Sequence, residues 1–178
     1  MRKVNKQSGF TLIELITSLA IFAVVMTISM GSILGVFEAN RVSRSQRSVM
    51  SNLNLVVESM SKEMRYGTNY NCGGDNASFP QNCAWGERQI SFKSSDNEQY
   101  TYRQNGTKIE RKIGSGNFVE LTSPEVVIDN LTFYVFGAGT DNSLHPKVII
   151  LVKGRGVSGK IESAFTLQTM VSQRMLES

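Results

Sequence analysis

Few residues in this 178-residue chain are placed to do chemistry, and the most conspicuous is a carboxylate. Glu14 is the only charged residue between Lys6 and Glu38, in a run of 28 residues from Phe10 to Phe37 that is otherwise uncharged and mostly apolar. An acidic side chain in hydrocarbon costs about 2.5–3.5 kcal/mol on insertion scales. A solitary span has no use for such a group, whereas a span that packs against copies of itself can offset it with a positive group from its neighbour. The two cysteines, Cys72 and Cys83, bracket the turn formers Gly73, Gly74, Asp75, Asn76 and Pro80. Three chemistries are open to them: a disulfide closing a short loop, two free thiols, or metal ligation. The only histidine, His145, lies far along the chain, which disfavours a metal. Gly154-Arg155-Gly156-Val157-Ser158-Gly159 spells the phosphate-binding pattern G-x-G-x-x-G. A dinucleotide site needs a helix, a second parallel strand and an acid about twenty residues further on. Only 19 residues remain and they alternate with period two, so the segment reads as a hairpin loop. Asp141 and Asn142 fall short of the carboxylate count of a calcium loop. No nucleophile–base pairing is visible, and the expectation is a protein without catalytic residues, cofactor or bound metal.

The elements that position Glu14 come next. A short basic segment (Arg2, Lys3, Lys6) leads to Gly9, and the 23 uncharged residues from Leu15 to Phe37 suffice to cross a bilayer. Spanning about 30 Å of hydrocarbon takes roughly 20 helical residues. A secretory signal has an apolar core of only about 7–15 residues with its small-residue cleavage site after it. Here the glycine precedes the apolar run.

Gly9-Phe10-Thr11-Leu12-Ile13-Glu14, with the basic leader and the long apolar helix, resembles the N-terminus of type IV prepilins and the related pseudopilins. The resemblance implies cleavage after Gly9 by a prepilin peptidase, N-methylation of the new first residue Phe10, and assembly through the N-terminal helix. Glu14 becomes the fifth residue of the mature chain, about 6 Å along the helix from the new amine. By that resemblance it pairs with the Phe10 ammonium of an adjacent subunit and fixes axial register. The implied partners are the peptidase/methylase, other pilin subunits, and the lipid bilayer before assembly. The implied location is the bacterial cytoplasmic membrane, with the N-terminus inside and the head outside, and then a cell-surface pilus or periplasmic pseudopilus. Loss of the leader removes three basic residues and takes the formal charge from +4 to +1, so a nucleic-acid partner gains little from the basic pI. Arg41, Arg44 and Arg47 form a basic patch suited to anionic headgroups; DNA is a less favoured partner because no aromatics interleave with them. Many major pilins carry a proline in this part of the helix, and this chain has none. Ser61-Lys62-Glu63-Met64-Arg65 before a β-rich head, and a last strand like Phe165 to Arg174, resemble W-type minor pilins and J-type pseudopilins.

Beyond the span, Val42, Val49, Leu53, Val56, Met60 and Met64 recur on one helical face, with Asn40, Ser45, Asn52, Ser59 and Lys62 placed opposite. The helix is expected over Phe10–Tyr66, stopped at Gly67. Gly31 and Gly35 make a small-xxx-small pair suited to close helix packing. After the cysteine loop the period becomes two. Strands are expected over Gln89–Phe92, Gln99–Arg103, Thr107–Ile113, Asn117–Leu121, Val126–Phe136, Lys147–Val152 and from Ile161 onward, with a hairpin at Asn105-Gly106. The fold class is α+β: a long N-terminal helix, its first half transmembrane, packed against one antiparallel sheet of six or seven strands. The organisation is leader 1–9, membrane or filament-core helix 10–37, amphipathic extension 38–66 and β-rich head 67–178. Two other classes compete with a pilus subunit: a pseudopilin of type II secretion, and a membrane-anchored binding module that never polymerises.

Overall fold

No proline interrupts the first 79 residues, and helix α1 runs unbroken over Leu12–Arg65. The computed structural model describes residues 9–139, 145–158 and 161–174. By its internal contacts the chain divides into two units, Met1–Ser43 and Arg44–Ser178.

In the second unit, Val49, Leu53, Val56, Met60 and Met64 are buried, as the period of the sequence requires. Asn52 and Ser59 are half-buried rather than opposite this stripe. At 100° per residue, Asn52 lies three positions from Val49 and four from Val56, which puts it on the flank. There its Oδ1 accepts a hydrogen bond from the Ser123 amide (3.1 Å). Gly67 follows the helix for a steric reason. A Cβ there would stand 2.5 Å from Cδ2 of the buried Phe92 ring. The Tyr70 hydroxyl shares its proton between the carbonyls of Met64 and Gly67, satisfying buried acceptors at the end of the helix.

The head contains nine described strands: β1 (Thr68–Cys72), β2 (Cys83–Glu87), β3 (Gln89–Lys93), β4 (Gln99–Asn105), β5 (Lys108–Ile113), β6 (Val119–Glu120), β7 (Val126–Phe136), β8 (Lys147–Ser158) and β9 (Ile161–Ser172). They form two antiparallel sheets instead of the single one expected, in the orders β1-β3-β4-β5-β6 and β2-β7-β8-β9. The difference comes with β1 and β2, which flank the cysteine loop outside every strand expected from the sequence and form edge strands of different sheets. A single cluster of buried side chains joins the helix stripe to the inner faces of both sheets.

The sheets meet along β7. Its register with β8 shifts between Ile128 and Asn130, and such a bulge frees backbone groups. The Gln104 side chain from β4 takes them up: its Nε2 donates to the Ile128 carbonyl (3.2 Å) and its Oε1 accepts from the Leu131 amide (2.9 Å).

Two sequence expectations shift. The β4–β5 turn is Gly106-Thr107, because Asn105 already pairs with Lys108. Gly106 has φ +54°, and a glycine at the first central position is what a II′ turn requires. Gly154 to Ser158 is strand, not hairpin loop: Gly154 and Gly156 pair with Ile128 and Val126 on one side and with Phe165 and Ser163 on the other. Both glycines permit close approach. A Cβ on Gly154 would meet the Val127 carbonyl at 2.4 Å, and one on Gly156 would meet Val49 Cγ1 at 2.8 Å.

Candidate functional site

The first unit holds the residues singled out by type and spacing. Gly9 and Phe10 precede the helix, and Phe10 is 81% exposed. Thr11 caps the helix: the Glu14 amide donates to Thr11 Oγ1 (3.4 Å), and the Thr11 hydroxyl donates to Glu14 Oε2 (3.5 Å). Thr-x-x-Glu before an apolar run is the capping-box spacing, a signal present in the sequence and missed there. Glu14 therefore has a local task at the positive end of the helix dipole. Its Oε1 accepts no hydrogen bond from the described residues.

The hydroxyls that follow are satisfied within the helix, as hydrocarbon demands. Thr17 donates to the Ile13 carbonyl (2.9 Å), Thr27 to Ala23 (2.8 Å) and Ser29 to Val25 (2.8 Å). The large apolar side chains from Phe10 to Phe37 are each at least half exposed. The most apolar window of this helix is long enough to cross a membrane and has no residue buried within the chain. Nothing lies within 4 Å of a Cβ built on Gly31 or Gly35, so neither glycine is needed for packing inside the chain.

The head positions the remaining candidates. Cys72, the last residue of β1, is bonded to Cys83, the first of β2, with Cα atoms 5.8 Å apart. That disulfide ties the two sheets together and answers the open choice between disulfide, thiol and metal. The intervening loop folds back over β3: the Gly73 amide donates to the Gln89 carbonyl (2.9 Å), and Ser91 Oγ to that of Gly74 (2.8 Å).

Glu63, from the quoted helix end, accepts from the Tyr102 hydroxyl (2.9 Å) and from Arg111 Nη1 (3.1 Å). Burial, then the adjacent Glu63 charge, pushes the Tyr102 phenol up from its ordinary value. The trio clamps the helix to β4 and β5 and offers no nucleophile. Glu110 is held below the usual carboxylate range chiefly by the Asn105 amide, with Arg103 adding to it against the opposing effect of burial. Asn105 Nδ2 and Arg103 Nε each stand 2.9 Å from a Glu110 oxygen.

His145 is exposed, as are Arg41, Arg44 and Arg47. Trp85 on β2 is 98% exposed, a surface residue. Asp141, Asn142 and Gly159 lie outside the described residues, as do the leader residues Arg2, Lys3 and Lys6. Among the described residues no three His, Cys, Asp or Glu side chains gather as a metal site would need.

These features define a class: an apolar helix, capped at Thr11 and carrying a lone acid in its first turn, continuous with a helix stripe packed on a disulfide-tied β head. Residues 4–30 match the model of the prokaryotic N-terminal methylation motif. No curated protein and no solved structure matches the chain. The chain thus carries a type IV prepilin-like methylation motif on a pilin-like α+β fold, and the motif implies processing by a prepilin peptidase.

Proposed function

We propose that the protein is a minor subunit of a type IV pilus or pilus-like filament, cleaved after Gly9, N-methylated at Phe10 and assembled through its N-terminal helix. The observation that carries this is an apolar helix segment with no residue buried within its own chain, bearing Glu14 four residues beyond the proposed amine. Burial of that surface has to come from other molecules. Lipid serves before assembly, and identical helices serve afterwards, when the Phe10 ammonium of one subunit meets the Glu14 carboxylate of the next. In this reading residues 1–9 are the leader, 10–37 the membrane and filament-core segment, 38–66 its amphipathic extension and 67–178 the head. The N-terminus faces the cytoplasm, and the head stands outside, where the Cys72–Cys83 disulfide persists. The protein acts structurally, with no reaction of its own. A type II secretion pseudopilin would use the same helix. Deletion separates the two, since a pilus subunit costs the cell surface filaments and a pseudopilin costs it secreted enzymes.

Intact-mass measurement of the chain from native membranes tests the reading. The expected species begins at N-methylated Phe10, and in a peptidase-deficient host the chain keeps its leader. A native chain that still begins at Met1 overturns the proposal in favour of a simple anchored module.

A further inference from the structure

Strand β9 is the outer edge of the four-stranded sheet, paired with β8 over twelve residues without a register shift. Exposed edges of this length are usually blunted by lysine, proline or a bulge. Ile161–Ser172 has none of these. Its one charge, Glu162, is already paired with Arg155 (3.0 Å). Among the described residues no backbone hydrogen bond reaches the outer side of the strand between Glu162 and Ser172.

The seam between β9 and the helix holds two clefts. One of about 260 Å³ is lined by Val49, Met50, Gly156 and Phe165. The other, of about 510 Å³, is lined by Asn54, Glu58, Ser61 and Thr169. Ser61 Oγ is buried without a hydrogen-bond partner, and the exposed Glu58 carboxylate has no ion-pair partner among the described residues. Phe165 and Thr169 are four residues apart on β9, so alternate side chains of a strand laid beside it fall over one cleft and then the other.

We infer that β9 is a docking edge for an extended segment of another protein, added as a fifth strand. That segment places an apolar side chain over the Val49–Phe165 cleft. Four residues away it places a basic side chain opposite Glu58. A second copy of this chain fits less well. Gln46 bonds Ser163 (2.9 Å) and the Arg65 carbonyl bonds the Arg174 amide (2.8 Å), so β9 runs alongside α1 in the same direction. Antiparallel pairing of β9 with its own copy would set helix residues 44–65 of the two chains in opposite directions, and the one charge a second β9 brings, Glu162, is acidic and already paired with Arg155, so it offers Glu58 no positive partner.

The test uses the full chain in detergent micelles and a fluorescent peptide of alternating threonine and valine, with leucine and lysine four positions apart. Saturable binding with slowed hydrogen exchange across 162–172 is expected. Replacing the peptide's lysine by glutamate should weaken binding about fivefold, and Glu58→Lys should reverse that order by a similar factor. Thr166→Lys, an exposed change on the edge itself, should weaken both peptides. Binding without protection of β9, or equal binding of both peptides to both proteins, overturns the inference. Self-association that protects β9 without peptide overturns it in favour of a second copy. None of these outcomes depends on whether the leader has been removed, so failure here leaves the subunit proposal standing.

Discussion

Glu14 has two candidate tasks, and one substitution separates them. The structure gives it a place in the cap at Thr11; the proposed function gives it the ammonium of a neighbouring subunit. Glu14→Gln keeps a hydrogen-bonding side chain at the third helical position, where glutamine serves a capping box as well as glutamate does. What it loses is the charge, worth about 0.3–1 kcal/mol against the helix dipole. If capping were the whole role, incorporation of the variant would fall by less than about sixfold, the equivalent of that energy. If the carboxylate neutralises a buried ammonium, removing it strands the partner charge at a cost of about 3–5 kcal/mol. That corresponds to a loss of roughly two to three and a half decades in incorporation. The assay co-expresses tagged variant and untagged wild-type chains and measures their ratio in sheared filaments against their ratio in the membrane. Intact mass confirms that both are cleaved. Glu14→Gln and Glu14→Ala should be excluded alike. Incorporation of Glu14→Gln at near wild-type ratio, with Glu14→Ala reduced only a few-fold, refutes the intersubunit role and leaves the cap as the explanation.

Two further outcomes test the head. Gly156→Ala places a methyl 2.8 Å from Val49 Cγ1 and should destabilise the head by about 1–3 kcal/mol. Val49→Ala in the same chain should restore much of that loss, a coupling read from denaturant unfolding by circular dichroism, since the exposed Trp85 reports poorly on burial. Glu110 has a folded-state pKa below its ordinary 4.5, so its contribution is present above that value and disappears as pH falls through the lower folded pKa. Glu110→Gln should cost about 1–2 kcal/mol at neutral pH, and the difference from wild type should shrink on acidification below pH ~4, measured as denaturation midpoints across pH.

The parts of the fold legible in the sequence are those governed by a single strong period. The helical pattern Phe10–Tyr66 exceeds α1 by two residues at its start and one at its end, and the Val126–Phe136 pattern coincides with β7, because each is long and internally consistent. The division into two sheets was not legible. It depends on where Tyr70, Cys72 and Cys83 fall in three dimensions, and burial along the five-residue strands around them does not alternate. Gly154 and Gly156 misled for a related reason. Glycine marks turns and close approaches alike, and only the positions of Val49 and the Val127 carbonyl show that here it marks approach. Gln104 reads as an ordinary polar strand residue, yet it takes up the backbone groups freed at the β7 bulge, which no local pattern announces.

The N-terminal segment is different, because its meaning lies in what its own chain withholds. A helix stripe such as Val49 to Met64 finds its partners inside the molecule, and the sheets supply them. From Phe10 to Phe37 the large apolar side chains stay at least half exposed, while the hydroxyls among them are turned back onto the helix. Such a segment is prepared for lipid at every position except Glu14. The Thr11 cap occupies one carboxylate oxygen and leaves the other without a partner among the described residues. Lipid offers nothing to that oxygen. In the proposed filament an adjacent helix with a positive first residue would offer a charge and a fixed axial position together. In the function proposed above, the same carboxylate that makes the membrane an imperfect solvent for this helix favours leaving it for a bundle of its own kind.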